Sequence, residues 1–321
     1  MTDTRMEYDT AFEAVVFRVD KILTTAPKII RAYTSYLSKA RGKFIRTHSL
    51  LSCAMDENNL IHKDAVIFAT AIEILHLATL VHDDVIDEAD MRRGIKTMQK
   101  KFGRKTAVIC GDYLLSVALQ EIVKAETKNE YETYYLPNYI NQICKGELLQ
   151  HRNNGNLNLS MYRYLSIISG KTAALFEASF YGGAVLAEKN EEKLRLYRHL
   201  GRYVGMIFQL TDDCIDFEEK ETVAKKNVQS DYEQGVITLP LIYTLNADKR
   251  FREKAEKTVL MREEINEAVY HAGGIFFTKR IAKQYLKKAI RTIKALDLSK
   301  EKEEKLTKLA EKAYFGLQRK G

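Results

Sequence analysis

Residues 65–81 read AVIFATAIEILHLATLV, and the chain then runs straight into H-D-D-V-I-D, three aspartates spaced D-D-x-x-D. No other stretch limits the fold as strongly. It is the nearest approach to a membrane span in the sequence, yet it carries Glu73 and His76, which are costly in hydrocarbon. It therefore reads as the buried core helix of a large helical protein, with a cluster of negative charge at its end.

The rest of the chain is suited to covering such a helix. Only Pro27, Pro137 and Pro240 occur among 321 residues, so long helices are free to form. Apolar residues make up 45% of the chain, enough for a sizeable core and too many for a disordered one. Their spacing predicts helices over 8–24, 27–40, 43–55, 63–88, 104–126, 130–151, 160–187, 191–218, 237–246, 251–256, 260–272, 274–295 and 300–315. Strand-like alternation is nearly absent. Turns are marked by Asn58-Asn59, Arg93-Gly94, Asn153-Asn154-Gly155-Asn156, Gly182-Gly183 and Ala272-Gly273-Gly274. No low-complexity linker divides the sequence, so residues 1–321 read as a single large all-α domain. The charged tail from Leu298 to Lys320 reads mostly as a solvated helix face.

A net charge of +8, from 51 basic and 43 acidic residues, is mild. A solvated basic surface accounts for it, and it suits anionic small substrates or transient contact with a membrane surface without calling for nucleic acid. Cys53, Cys110, Cys144 and Cys214 show no C-x-x-C pairing and no zinc spacing. They read as reduced core residues of a cytoplasmic protein. The polar, acidic start, MTDTRMEYD, predicts no signal peptide.

The aspartate cluster has an echo. L-V-H-D-D-V-I-D at 80–87 returns as Q-L-T-D-D-C-I-D at 209–216, again after an apolar helical stretch. Residues four apart share a helix face, so Asp83 pairs with Asp87 and Asp212 with Asp216, while Asp84 and Asp213 lie to the side. Like charges at that spacing disfavour a helix, and the helix dipole disfavours anions at its C-terminus. A hard divalent cation reverses both penalties. Oxygen-only ligands point to Mg2+, which is held by a few carboxylates together with substrate phosphates. Basic residues stand ready for those phosphates: Arg92 and Arg93, the cluster A-R-G-K-F-I-R at 40–46, S-G-K-T at 169–172, and Lys225 and Lys226. S-G-K-T has neither the upstream glycine nor the preceding strand of a P-loop. The two motifs read as half-sites facing each other across a diphosphate-binding cavity.

Taken together, H-D-D-V-I-D-E-A-D-M-R-R-G (82–94), C-G-D-Y-L (110–114), K-G-E-L-L-Q (145–150), S-G-K-T-A-A-L (169–175), G-M-I-F-Q-L-T-D-D-C-I-D-F (205–217) and G-V-I-T-L-P (235–240) resemble the trans-isoprenyl diphosphate synthase, or polyprenyl synthetase, family over nearly the whole chain. The resemblance implies long helices around a deep central cavity, usually in a homodimer. It implies Mg2+, three ions with substrate bound, ligated through Asp83, Asp87 and Asp212, with Asp84, Asp213 and Asp216 in support. Arg92, Lys171 and Lys226 would hold the allylic diphosphate. Lys43, Arg46, His76 and Arg93 would hold isopentenyl diphosphate. Thr172, Phe208 and Gln209 would line the reacting carbons. The implied activity is addition of isopentenyl units to an allylic diphosphate, such as farnesyl diphosphate.

Two segments depart from the family pattern. G-G-K-R-x-R-P is replaced by R-G-K-F-I-R-T at 41–47, and the lid pattern G-K-x-x-G-x-D by K-K-N-V-Q-S-D at 225–231. In this family, bulk just upstream of the first aspartate motif ends chain growth. Ala78 and Thr79 are small here, followed down the helix by Leu75 and Phe68, so the expected product is of medium or long chain, heptaprenyl to octaprenyl, with Phe68 as the floor. The alternatives are a shorter-chain farnesyl or geranylgeranyl synthase, and the catalytic half of a two-component heptaprenyl diphosphate synthase working with a small regulatory subunit. A terpene cyclase is disfavoured by D-D-C-I-D in place of an N-S-E type second motif, and a regulatory subunit by the presence of all six aspartates.

Overall fold

The structure, a computed structural model, describes residues 5–39, 42–127, 134–218, 232 and 235–316. Helices dominate, as the apolar spacing predicts. In chain order they are α1 (Tyr8–Thr24), α2 (Lys28–Leu37), α3 (Ile45–Ala54), α4 (Asp64–Ile86), α5 (Met98–Phe102), α6 (Arg104–Ile122), α7 (Leu136–His151), α8 (Met161–Ile168), α9 (Ala174–Ala187), α10 (Glu191–Glu218), α11 (Leu239–Ala247), α12 (Lys249–Lys257), α13 (Arg262–Ala272), α14 (Gly274–Ala295) and α15 (Lys300–Phe315). A five-residue π-helical turn, Ser169–Ala173, joins α8 to α9. Two antiparallel pairs complete the described residues: β1 (Arg5–Met6) with β2 (Ile61–His62), and β3 (Met91–Arg92) with β4 (Ile95–Lys96).

The chain divides into two compact units, each assembled from three segments. Unit 1 takes Met1–Pro137, Leu175–Arg198 and Leu296–Leu306, and unit 2 takes Asn138–Ala174, His199–Ala295 and Thr307–Gly321.

Unit 1 is built around α4. This helix is long and apolar enough to cross a membrane, with a mean hydropathy of 1.8, but 67% of its apolar window is buried within the protein. It packs on α1, α3 and α6, with Phe68, Ile72 and Ile74 fully enclosed. α9 crosses α3 so closely that a Cβ on Gly183 would lie 2.1 Å from the Leu50 carbonyl oxygen, so glycine is required there. α6 ends at Ile122 rather than at 126. The reason is Asp64, fully buried at the start of α4, whose Oδ2 accepts hydrogen bonds from the Glu126 and Thr127 backbone N–H groups and from the Thr127 hydroxyl. Those donors leave the helix to meet the carboxylate.

Unit 2 has its own core, with Tyr164 and Ile167 of α8, Met206 and Leu210 of α10, Leu241 and Ile242 of α11, and Ile265 and Val269 of α13 packed together. Local signals set its boundaries. The Ser160 side chain caps α8, Asp248 caps α12, and Gly273 ends α13 in the left-handed conformation at φ 79°.

Gly182-Gly183, expected at a turn, lies inside α9 instead, where the close approach of α3 calls for glycine. Two further expectations change here. Cys144 is exposed on α7, whereas Cys53, Cys110 and Cys214 are buried, because Cys144 falls on the outer side of its helix beside Lys145. The charged tail is a helix, as read, but α15 buries Lys302, Leu306, Ala310 and Ala313. Lys302 is 6% exposed. Its Nζ donates to the carbonyl oxygens of Cys53 (2.8 Å) and Met55 (2.6 Å) at the end of α3, and it lies 5.2 Å from the Tyr197 ring. A cation satisfies carbonyls that the ended helix leaves open.

Burial lowers the Lys302 ammonium from 10.5 to about 8. Between those values the unfolded chain binds the proton more tightly than the folded one, so stability rises with pH across that window, by about 3 kcal/mol at most. Denaturant titrations at pH 8 and 10 should show this gain in the wild type and a smaller one in Lys302→Met. Equal gains in both would rule out Lys302 as its source.

Candidate active site

The first aspartate motif closes α4. The Asp87 N–H still donates to the Asp83 carbonyl (2.8 Å), so the helical turn holds across the motif. Asp83 and Asp87 therefore share one face, both partly exposed, while Asp84 turns inward and is buried. The β3–β4 hairpin explains what Asp84 does there. Its two-residue loop, Arg93-Gly94, takes φ values of 49° and 80°, as a type I′ turn requires. The hairpin brings Arg92 back to α4, where its Nε donates to Asp84 Oδ1 at 2.5 Å. Burial raises the Asp84 pKa, and Arg92 opposes that rise. With Nε so committed, Arg92 meets any phosphate through its Nη groups.

The same hairpin carries Arg93 toward α3. A Cβ on Gly42 would lie 3.0 Å from Arg93 Nη1, so the missing side chain leaves room for the guanidinium. Arg46, buried on α3, stacks 4.8 Å over the Phe176 ring and places Nη1 3.1 Å from His76 Nε2. Arginine has no acceptor, so His76 accepts at Nε2 and keeps its proton on Nδ1. Burial, together with Arg46, Arg93 and Arg92, holds the His76 pKa well below 6.5, which leaves a neutral ring with one N–H donor. Three of the four residues assigned to isopentenyl diphosphate, Arg46, His76 and Arg93, thus gather in unit 1. Lys43 is exposed beside them in sequence. Phe44 takes a left-handed conformation at φ 49° and packs edge-on against Phe12, so its ring serves packing rather than charge.

The second motif lies on α10 in unit 2. Asp212 is exposed and Asp216 partly buried, while Asp213 is buried. Asp213 is held from two sides. The Tyr164 hydroxyl donates to its Oδ2, and Gln209 Nε2 donates to its Oδ1 at 2.8 Å. The Gln209 carbonyl accepts in turn from the Thr172 hydroxyl at 2.7 Å, which leaves the Thr172 oxygen presenting lone pairs. Asp216 Oδ1 stands 4.0 Å from Arg262. Both motifs therefore divide alike: the middle aspartate is buried and engaged by its own unit, while the outer two keep exposure.

Lys171 and Thr172 sit in the π turn. The spacing of apolar residues predicts one unbroken helix over 160–187, and the inserted turn is the difference. It lies against α7, where a Cβ on Gly146 would fall 2.2 Å from the Lys171 backbone nitrogen. The wider turn re-aims Lys171, which pairs with Glu147 at 2.8 Å. Phe208 is partly buried on α10. Lys225, Lys226, Asp231 and Arg41 lie outside the described residues.

The residues assigned to chain length lie in unit 1. Ala78, Leu75 and Phe68 are buried, and the Thr79 hydroxyl folds back onto the His76 carbonyl (2.9 Å). Phe68 stacks on Tyr134 with ring centroids 5.2 Å apart. Tyr134, Tyr164, Glu147, Glu73 and Thr47 carry much of this geometry without an assigned role in the sequence. Tyr134 and Tyr164 lie in no motif, Glu147 and Thr47 lie in K-G-E-L-L-Q and R-G-K-F-I-R-T, and Glu73 stands out as a carboxylate in an apolar run.

A divalent cation fits the donors. Asp83 and Asp87 offer oxygen alone on one face, and among the described residues no group of three His, Cys, Asp or Glu side chains forms a cage by itself. Such a site suits an ion that completes its shell with water and phosphate oxygens.

Comparison with known proteins agrees with this geometry. Residues 27–272 match the family described as Polyprenyl synthetase. A heptaprenyl diphosphate synthase component 2 from Geobacillus stearothermophilus is 34% identical over 270 residues, covering 82% of this chain and 83% of that protein. A crystal structure of heptaprenyl diphosphate synthase from Staphylococcus aureus matches with a TM-score of 0.87 and 29% identity, over 97% of this chain and 99% of that one. A polyprenyl synthase from Caulobacter crescentus CB15, complexed with calcium and isoprenyl diphosphate, matches with a TM-score of 0.85 and 29% identity, over 95% of this chain and 94% of that one.

Tyr164→Phe removes one of the donors to the buried Asp213. Losing a hydrogen bond to a buried carboxylate costs about 2 kcal/mol, so its urea midpoint should fall accordingly. An unchanged midpoint would mean that the Tyr164 hydroxyl does not support Asp213.

Proposed function

Because the chain belongs to the polyprenyl synthetase family and is a trans-prenyltransferase, we propose that it adds isopentenyl diphosphate units to an allylic diphosphate such as farnesyl diphosphate, with Mg2+, to give a medium or long all-trans polyprenyl diphosphate and free diphosphate. The observation that carries this reading is the shared division of the two aspartate motifs, with outer carboxylates partly or fully exposed and middle ones buried and engaged. The chain passes between its two units five times in sequence. Neither unit is one continuous stretch of sequence, which supports reading residues 1–321 as one domain.

Asp83 and Asp87 from one motif and Asp212 from the other would hold the ions. When bound, Mg2+ neutralises charge on the leaving diphosphate as the allylic C–O bond breaks. Lys171, Lys226 and the Nη groups of Arg92 would add positive charge from the protein. The allylic cation left behind would be favoured by the Phe208 ring and by the Thr172 oxygen, whose own proton is directed at Gln209. Arg46, Arg93 and the Nδ1–H of His76 would orient isopentenyl diphosphate so that its double bond attacks that cation. Loss of a proton to the departed diphosphate then restores an alkene.

Product length would be set by Ala78, Thr79 and Leu75, which would leave room upstream of the aspartates, with the Phe68–Tyr134 stack as a floor. A homodimer is the expected assembly. The Geobacillus relative, named as component 2, favours a second reading, in which the chain is the catalytic half of a two-component enzyme.

The purified chain is tested with Mg2+, farnesyl diphosphate and labelled isopentenyl diphosphate, with products sized by chromatography. Elongation to heptaprenyl or octaprenyl lengths is expected. Chelation of Mg2+ should abolish it, and Asp83→Asn or Asp212→Asn should each lower kcat by about a hundredfold or more. Binding of both substrates without elongation would move the assignment to the two-component enzyme, and failure to bind either would overturn it. Ala78→Tyr should shorten the product, and an unchanged length would remove Ala78 and the residues below it from length control.

A further inference from the structure

The first turn of α3 has an uncommon cap. Phe44, the residue at its N-cap, makes no side-chain hydrogen bond to the helix. Glu73, reaching across from α4, takes that place. Its Oε1 accepts from the Thr47 backbone N–H (3.0 Å) and from the Thr47 hydroxyl (2.8 Å). The first N–H groups of any helix lack partners within it, and a carboxylate is favoured at that end by the helix dipole. Thr47 stands where the family pattern has proline. A proline there has no N–H and no hydroxyl, so this chain has a clamp on Glu73 that the usual sequence cannot make.

The surroundings give the clamp a purpose. Arg46, the neighbour of Thr47, is 9% exposed, and its buried Nε has no hydrogen-bond partner. Arg93 approaches across Gly42, and Arg92 lies behind it on Asp84. Three cations are thus collected beside a His76 that stays neutral. The acids facing them are Glu73, set toward Arg46 and Arg93, and Asp84, set toward Arg92 and Arg93. Burial draws the Arg46 pKa down to about 10 and Arg93 opposes its charge, while Glu73 supports it. Burial pushes the Glu73 pKa up, and the two Thr47 hydrogen bonds, with Arg46 and Arg93, oppose that rise.

We propose that Thr47 and Glu73 are positioning residues for isopentenyl diphosphate, Thr47 fixing the Glu73 carboxyl group and Glu73 holding the first turn of α3, and with it Arg46, in place against His76 and Phe176. The inference rests on the assignment of Arg46, His76 and Arg93 to that substrate. Neither Thr47 nor Glu73 touches substrate, and each acts through Arg46.

The test is steady-state kinetics with each substrate varied separately at fixed Mg2+. Thr47→Val keeps the N–H and the shape but loses the hydroxyl. It should raise KM for isopentenyl diphosphate about tenfold, with KM for the allylic substrate and kcat unchanged. Thr47→Ser, which restores the hydroxyl, should return KM to the wild-type value. Glu73→Gln should raise the same KM further. Arg46→Lys is the control for the underlying assignment. If Arg46→Lys raises KM for isopentenyl diphosphate and Thr47→Val does not, the positioning role is overturned while the site stands. If Arg46→Lys leaves that KM unchanged, the site assignment fails and takes this inference with it. Equal changes in both KM values, or a loss confined to kcat, would assign Thr47 a structural role only. Should Glu73→Gln fail to fold, the Thr47 pair decides the matter alone.

Discussion

The polar groups that α4 carries into unit 1 need partners there, and much of the geometry around the first aspartate motif follows from that requirement. An apolar helix of this length could be covered by almost any set of apolar faces. Glu73, His76, Asp84 and Asp64 remove that freedom. Asp64 draws the chain after α6 out of its helix. Glu73 fixes the start of α3, His76 receives Arg46, and Asp84 receives Arg92 from the hairpin. A buried carboxylate or imidazole without such partners costs several kcal/mol, so the helix specifies what surrounds it. The cluster suited to binding phosphate is largely the set of groups needed to satisfy it.

The two motifs show how one pattern serves both structure and chemistry. In D-D-x-x-D the outer residues are four apart and share a face, which leaves the middle one pointing elsewhere. In both units that middle aspartate is buried and engaged, by an arginine in one and by a tyrosine and a glutamine in the other. The solutions differ because their surroundings differ. α4 ends beside a short polar hairpin, whereas α10 is embedded in a helical core that offers a phenol and an amide.

Helix positions were legible because they are encoded locally. The spans of α1, α10, α14 and α15 coincide with their apolar periodicity, and Gly273 marks its helix end by conformation. The π turn was not legible. Adding one residue to a turn leaves the apolar pattern over 160–187 intact, and its cause, the passage of Gly146 beside Lys171, joins residues far apart in sequence. The same holds for Tyr164 and Tyr134, ordinary core residues until the chain is folded. Thr47 was visible only as a departure from a motif. Its role needed Glu73, 26 positions away. The exposure of Cys144 was missed because cysteine content says nothing about which side of a helix a residue occupies.

Lys302 also bears on how the chain is made. Unit 1 begins at the N-terminus, but its last segment, residues 296–306, comes near the other end. The carbonyls of Cys53 and Met55 wait for an ammonium that is synthesised almost 250 residues later, as the separations of 249 and 247 positions show. Until α15 is made, those two carbonyls lack this partner, and the end of the helix that carries Arg46 is completed by a residue from the far end of the sequence.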